Sequence, residues 1–197
     1  MAKTATQPIK TNPIMASTSK KTKEVKDNSK SNGAATAPVS VKINTGVSDK
    51  SRTALTVLLN GVLANLSVLT TKTKNYHWNV VGMSFRSLHV FFEELYDGQG
   101  QNIDDVAERI KALGGTPLGT MAAFISTATL KEETRTGLAA EDMVAQLLAD
   151  YETIIRDLRN KVTQSGEKLS DDGTADFLTG LMEDYEKTAW MLRSLLA

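Results

Sequence analysis

The sequence KNYHWNVVGMSFRSLHVFFEELY, residues 74–96, contains both histidines of the chain, His77 and His89. Glu93 follows His89 by four residues. Residues four apart in an α-helix project from the same side, one turn from each other. His89 and Glu93 therefore predict one half of a metal site on a helical face, with His77 able to approach it from a preceding helix.

A second pair of potential ligands, Asp104 and Glu108, has the same four-residue spacing. If residues 85–113 form one helix, Glu93 and Asp104 are eleven residues apart and point in directions that differ by only about 20°. They are nevertheless separated by about 16 Å along the helix axis. One metal ion cannot bridge that distance. The two pairs therefore cannot meet within one chain unless the helix breaks between them.

Gly98 and Gly100 lie between the two pairs and are the positions where such a break could occur. The alternative is a two-fold axis that lays this helix antiparallel on its own copy and brings the first pair of one subunit beside the second pair of the other. A glycine costs a helix interior about 1 kcal/mol relative to alanine, but it lets two backbones approach closely. We therefore expect both glycines to lie at the crossing.

Two segments resemble the ferroxidase region of the Dps family, the DNA-binding proteins from starved cells, which are bacterial mini-ferritins. They are residues 74–96 and IDDVAERIKALGGTPLGT, residues 103–120. The resemblance is carried by HW at His77, the twelve-residue step to LH at His89, and the later D-x-x-x-ER that begins at Asp104. It extends over about residues 44–197 and implies a ferritin-like fold, a dodecameric shell and iron sites between subunits.

The resemblance implies a ferroxidase site made of His77, His89, Glu93, Asp104 and Glu108. Glu93 departs from the pattern, because the family often has Asp there. Glu is one methylene longer and is also an oxygen donor, so we keep it as a ligand. Nitrogen and oxygen donors without sulfur suit iron, manganese or zinc, and a redox role favours iron.

Apolar residues at three- and four-residue spacing predict four long helices and no strand. The first runs from about Ser51 to His77 and the second from Phe85 to Gly114. A connection of residues 114–137 follows, with a short apolar piece at 121–125 that could form a small helix. Such a long connection permits a crossover, as in ferritin-like folds. The predicted fold is an all-α, ferritin-like four-helix bundle over residues 46–197, with a short helix between helices two and three.

Composition excludes several classes of protein. The 197 residues contain no cysteine, which excludes disulfides, thiolate zinc sites and iron–sulfur clusters. No apolar run approaches the roughly 20 residues of a membrane span, and the N-terminus lacks the apolar core of a secretory signal. We therefore expect no membrane partner and a location in the cytoplasm of a bacterium, where association with the nucleoid is one alternative.

The zero net charge conceals an asymmetry. Residues 1–50 hold nine lysines and three acidic residues, a charge of +6, whereas the remaining 147 residues carry −6. Residues 1–45 are rich in small polar residues, lysine and proline, and are predicted to be a disordered tail. A basic tail on an acidic body favours a polyanion such as DNA, bound without sequence specificity, with solubility or spacing as the alternative. The densest basic cluster is Lys20, Lys21, Lys23, Lys26 and Lys30.

A second acidic segment, SGEKLSDDGTAD, residues 165–176, lies between the third and fourth long helices. Its acids could interact with the N-terminal dipole of the following helix. The resemblance implies a different role, because mini-ferritins place carboxylates here around three-fold pores that admit iron. Glu167, Asp172 and Asp176 match those positions.

The resemblance implies an enzyme that oxidises iron(II), with hydrogen peroxide preferred to dioxygen, and stores ferric iron in the shell, which protects DNA from oxidative damage. Two alternatives remain open. One is a structural nucleoid protein with little ferroxidase activity whose lysine tails hold DNA. The other is a bundle used only for assembly.

Overall fold

The computed structural model describes residues 42–197, and every regular element in this part of the chain is helical. A π-helical turn continues the fourth helix toward the fifth. Four long helices and one short helix confirm the predicted all-α fold, and the short helix lies where the apolar piece of the long connection predicted it. The elements are α1 (Asp49–Asn79), α2 (Phe85–Ala112), α3 (Met121–Thr127), α4 (Ala140–Thr163), the π-helical turn (Gln164–Lys168) and α5 (Asp172–Ser194).

Helix α1 is the central element of the core. It begins after Ser48, whose hydroxyl accepts a hydrogen bond from the backbone N–H of Ser51 at 3.1 Å, a standard N-terminal cap. Within residues 42–197, α1 is the one helix long and apolar enough to cross a membrane, but most of its apolar stretch is buried inside the bundle. Its apolar surface is therefore covered by the other helices.

The core is formed where the apolar stripes of the four long helices meet. Helix α1 packs along α2, and α4 packs along α5. Burying these side chains contributes about 1.5–3 kcal/mol for each large apolar residue. Fully buried members of the core include Leu59, Leu63 and Leu66 of α1, Phe92, Val106 and Ile110 of α2, Leu147 and Leu158 of α4, and Leu178 and Leu192 of α5.

Two asparagines on α1 hold the long connection between α2 and α4 against the bundle. The side-chain oxygen of Asn60 accepts a hydrogen bond from the backbone N–H of Leu118 at 2.8 Å. Asn65, which is buried, accepts from the backbone N–H groups of Thr129 at 2.8 Å and Leu130 at 3.1 Å. These bonds satisfy backbone groups that no helix pairs, so the connection follows a defined path.

The interior also contains polar contacts that join different helices. Lys72 of α1 and Asp150 of α4 form a largely buried ion pair at 2.6 Å. Burial raises the pKa of Asp150, and the hydrogen bond and charge of Lys72 oppose that effect. The amide nitrogen of Gln99, on α2, donates to the hydroxyl of Tyr151 at 2.8 Å. Helix α4 is thus linked to both helices of the first pair.

The predicted disordered tail, residues 1–45, lies almost entirely outside the described residues. Of its last four residues, Ile43 is half-buried and lies against Gly114, just after the end of α2. Gly114 has a φ of +82°, a left-handed conformation typical of the residue that ends a helix. A Cβ atom at Gly114 would press on Cδ1 of Ile43, the far end of a side chain that can rotate away, so the positive φ is the reason for glycine here.

Candidate metal centre

The two histidines lie together across the short turn that joins α1 to α2. Their rings are stacked, with centroids 3.7 Å apart and planes inclined by 21°. His77 Nδ1 is 2.8 Å from the backbone oxygen of His89, and His89 Nδ1 is 2.8 Å from the backbone oxygen of His77. Each histidine is therefore oriented by the backbone of the other.

This reciprocal contact determines which nitrogen of each ring can bind a metal. A carbonyl oxygen only accepts hydrogen bonds, so Nδ1 must carry the proton and donate it in both rings. In the neutral imidazole, Nε2 then keeps its lone pair. Metal-binding histidines commonly have this arrangement, with the second nitrogen held by a carbonyl or carboxylate. His77 and His89 thus fit the role of two nitrogen ligands.

The carboxylates of α2 are exposed, in contrast to the histidines. Glu93 lies one turn beyond His89, and its Oε1 atom is 3.5 Å from the hydroxyl of Tyr96. No hydrogen bond or ion pair joins the side chain of Asp104 or Glu108 to another of residues 42–197. Both carboxylates are therefore free, within the described part of one chain, to bind a cation or a partner.

Helix α2 continues without a break from Phe85 to Ala112, through both glycines. The helix therefore does not fold back at the glycines, and the two ligand pairs of one chain do not meet. Glu93 and Asp104 remain about 16 Å apart along the axis. Correspondingly, no group of three or more potential ligands converges anywhere in residues 42–197. One chain therefore presents two separate groups of candidate ligands.

The two glycines do not share a face, and this corrects part of the sequence interpretation. At 100° per residue, the four ligand positions of α2 fall within about 100° of arc, which we call the ligand face. Gly100 lies about 30° from the centre of the ligand face, whereas Gly98 lies about 130° from it. A Cβ atom at either position would meet nothing within 4 Å in the single chain. Only Gly100 can therefore serve a close crossing on the ligand face.

Comparison with known proteins identifies the family. The family model of the ferritin-like domain matches residues 56–197. A low temperature-induced protein of Nostoc is 51% identical over 155 residues, covering 79% of this chain and 87% of the relative. The DNA protection during starvation protein 2 of Bacillus anthracis is 41% identical over 139 residues, covering 71% and 94%.

A solved structure agrees with the sequence relatives. The Dps protein of Vibrio cholerae, described as a member of a broad superfamily of ferritin-like diiron-carboxylate proteins, has a TM-score of 0.75 at 28% identity. The match covers 80% of this chain and 99% of that one. This chain belongs to the Dps family of ferritin-like proteins. Membership confirms the predicted ferritin-like fold and supports iron binding and storage, ferroxidase-type chemistry and DNA protection as the general function.

Next to Glu108, this Dps family member has an anchor that the sequence did not predict. Arg109 Nη2 donates to both carboxylate oxygens of Asp171, at 3.0 and 2.9 Å, and Arg109 Nε donates to the hydroxyl of Thr174 at 2.9 Å. Asp171 also caps α5, because it accepts from the backbone N–H of Thr174 at 3.2 Å. The Glu108 end of α2 is thereby fixed to the start of α5.

The electrostatics of Asp171 follow from these contacts. Burial alone would raise the pKa of Asp171. The hydrogen bonds from Thr174 and the charge of Arg109 outweigh burial and hold the pKa below its usual value. The sequence signal for this role was an aspartate in the polar segment that precedes the last long helix, since aspartate is a preferred N-terminal cap.

The predicted pore residues lie around the same junction. Glu167 is in the π-helical turn, Asp172 is the first residue of α5, and Asp176 lies one turn further; all three are exposed. Within the described part of a single chain they form no cluster able to hold a metal ion. Asp172 is also placed to interact with the helix dipole, so both interpretations of this segment remain.

A polar cluster beside His77 was not predicted. The buried Tyr76 places its hydroxyl 2.9 Å from the Gln146 amide and 3.4 Å from Glu133. Arg135 donates to Glu133 from its guanidinium at 3.0 and 2.7 Å and from its backbone N–H at 2.8 Å, which lowers the pKa of Glu133 to about 2. The cluster borders a cavity of about 140 Å³ and anchors the end of α1 that carries His77.

The lysines predicted to contact DNA, at positions 20, 21, 23, 26 and 30, lie outside the described residues. Their role stays a prediction from composition and charge.

Proposed function

We propose that this protein is a Dps-type mini-ferritin whose ferroxidase sites form between two subunits. The observation that carries the proposal is the pair of half-sites on one chain. His77 and His89 are held with Nε2 available, while Asp104 and Glu108 stand exposed at the far end of an unbroken helix. An antiparallel two-fold contact along the ligand face brings the histidine half-site of each subunit beside the Asp104 and Glu108 half-site of its partner.

Each residue then has a defined role. His77 and His89 provide nitrogen ligands, and Glu93 provides a carboxylate from the same subunit. Glu108 of the partner coordinates or bridges the metal, and the partner's Asp104 binds directly or tunes the site. Iron(II) is the substrate, and the same donor set also accepts zinc or manganese.

The proposed oxidant is hydrogen peroxide, with dioxygen as the alternative. Two iron(II) ions each give one electron to one peroxide molecule, which takes up two protons and leaves as two water molecules. Because both electrons reach the same peroxide, no hydroxyl radical is released. Ferric iron is then stored in the shell, and DNA is protected because both reactants of radical chemistry are consumed.

We further propose a dodecameric shell in the bacterial cytoplasm, with Glu167, Asp172 and Asp176 lining a pore for iron entry. The exposure of these carboxylates and their place around the junction between the π-helical turn and α5 support the pore assignment. Light scattering should give about 257 kDa for twelve copies of 21.4 kDa. A monomer at micromolar concentration would contradict the shell and the intersubunit site together.

A second function, nonspecific DNA binding through the tail, is favoured by the charge of +6 on residues 1–50 against −6 on the rest. Phosphate contacts by lysine require no sequence recognition. If iron oxidation were weak and this binding strong, the protein would be a structural nucleoid protein instead.

Subunit complementation tests the intersubunit site. His77→Ala and Asp104→Ala chains should each be inactive alone. In a hybrid two-fold contact, one site combines the intact histidines of the Asp104→Ala chain with the intact acids of the His77→Ala chain. The second site carries both substitutions and is inactive. Random reassembly of equal amounts should therefore restore about a quarter of the sites, since half of the contacts are hybrid.

The matched control is a mixture of His77→Ala and His89→Ala chains, which alter the same half-site. No hybrid of these two chains contains a complete site, so iron oxidation should stay at background. Failure of the first mixture to recover activity, although mass spectrometry detects hybrids, would refute the intersubunit assignment.

A further inference from the structure

Tyr96 contacts two of the candidate ligands on the same half-site. Its ring meets the ring of His77 edge-on, with centroids 5.2 Å apart and planes at 85°. Its hydroxyl lies 3.5 Å from Oε1 of Glu93, a long hydrogen bond. Tyr96 lies just beyond the edge of the ligand face of α2, three residues after Glu93, and is half-buried.

Lys74 holds the same ring from α1. Its ammonium nitrogen lies 5.1 Å from the centroid of the Tyr96 ring, within the range of a cation–π interaction. Lys74 and His77 are three residues apart and project from the same side of α1. The Tyr96 ring is therefore placed by two side chains of α1, while its hydroxyl extends toward a carboxylate of α2.

We propose that Tyr96 is a positioning residue for the metal centre, which holds the Glu93 carboxylate beside the two histidines. This role rests on the proposed function, because it takes Glu93 as a ligand. Glu93 is exposed and has a long, flexible side chain, so its carboxylate has several conformations to lose when a metal binds. A phenol hydroxyl donates one hydrogen bond to a carboxylate, and a ring restrained by Lys74 and His77 gives that donor a defined direction.

Metal binding measures this role without relying on turnover. The purified full-length shell, freed of metal, would be titrated with Co²⁺ by visible absorption and with Zn²⁺ by calorimetry. Tyr96→Phe keeps the ring and removes the hydroxyl. It should weaken binding about 10-fold, the lower end of the effect of residues that orient metal ligands, because the hydrogen bond is long. The cobalt spectrum should change, and the KM for iron(II) should rise more than kcat falls.

Tyr151→Phe is the matched control. It removes a hydroxyl that bonds Gln99 in the core and contacts none of the candidate ligands. It should lower thermal stability and leave metal affinity unchanged, whereas Tyr96→Phe should leave thermal stability unchanged. Lys74→Met, which keeps the stem and removes the charge, should weaken metal binding by less than Tyr96→Phe.

A double-mutant cycle shows whether Tyr96 acts through Glu93. In a Glu93→Ala background, Tyr96→Phe should cause no further loss of metal affinity. Equal losses in both backgrounds, or wild-type affinity in Tyr96→Phe, would overturn the role of Tyr96 and leave the proposed site intact. Unchanged metal affinity in Glu93→Ala itself would remove Glu93 from the proposed site and the role of Tyr96 with it.

Discussion

Replacing Asp171 with alanine should destabilise the bundle by about 2.5 kcal/mol, because two separate interactions end at this carboxylate. Asp171 caps α5 by accepting from the backbone N–H and the hydroxyl of Thr174, and it accepts two hydrogen bonds from Arg109. Only 6% of its side-chain surface is exposed, so water does not replace these contacts in the folded state.

The magnitude follows from those two parts. Loss of an N-terminal cap costs about 1 kcal/mol. Hydrogen bonds to a charged partner contribute about 1.5–3 kcal/mol, and we take the lower end because the Arg109 side chain is 28% exposed and can regain water. Asp171→Asn retains a capping oxygen but loses the charge, so it should cost about 1.5 kcal/mol.

Differential scanning calorimetry at one fixed subunit concentration measures both variants. A loss of 2.5 kcal/mol corresponds to a fall in Tm of about 5–10 °C for a domain of this size. A fall of less than 2 °C in Asp171→Ala, or equal falls in the alanine and asparagine variants, would refute the division into cap and ion pair. Thr153→Ala, on the exposed side of α4, is a suitable control and should change Tm little.

Three further predictions concern acid stability, assembly and DNA. The folded-state pKa of Glu133, about 2, is below its ordinary value of 4.5, so its stabilising contribution should be complete above pH 4.5 and lost as pH falls toward 2. Acid-unfolding curves of wild type and Glu133→Gln should converge over that range, and a constant gap at every pH would contradict the assignment. Gly100→Leu should weaken the two-fold contact by forcing a branched side chain into the crossing, whereas Gly98→Leu, on another face, should assemble normally in light scattering; equal assembly of the two would exclude the crossing. Deleting residues 1–41 should abolish DNA retention in gel shifts, and replacing any one phosphate-binding lysine with alanine should reduce the log–log salt slope by about 0.9; binding retained at the same salt would move the DNA-binding surface to the bundle.

The helices and the separation of the two ligand pairs could be predicted because both depend on local spacing. Side chains three and four residues apart share a helical face wherever the helix lies, so the stripe of α1 and the pairs at His89 and Asp104 were predictable from the chain alone. The length of the connection after α2 likewise indicated a crossover with room for the small helix α3. The expectation that Gly98 lies at the crossing failed on the same rule, because Gly98 and Gly100 are two residues apart and so project from nearly opposite sides of α2.

The contacts that make the site specific were decided by the tertiary structure. The Nδ1 atoms of His77 and His89 reach each other's carbonyls because the turn between α1 and α2 sets the relative height and rotation of the two helices. Arg109 likewise contacts Asp171, 62 residues later in the chain, because of the relative position of α2 and α5. Hydrophobic periodicity predicts which residues face the core. It does not predict the register of one helix against another, because that register depends on how the buried side chains of both helices pack together.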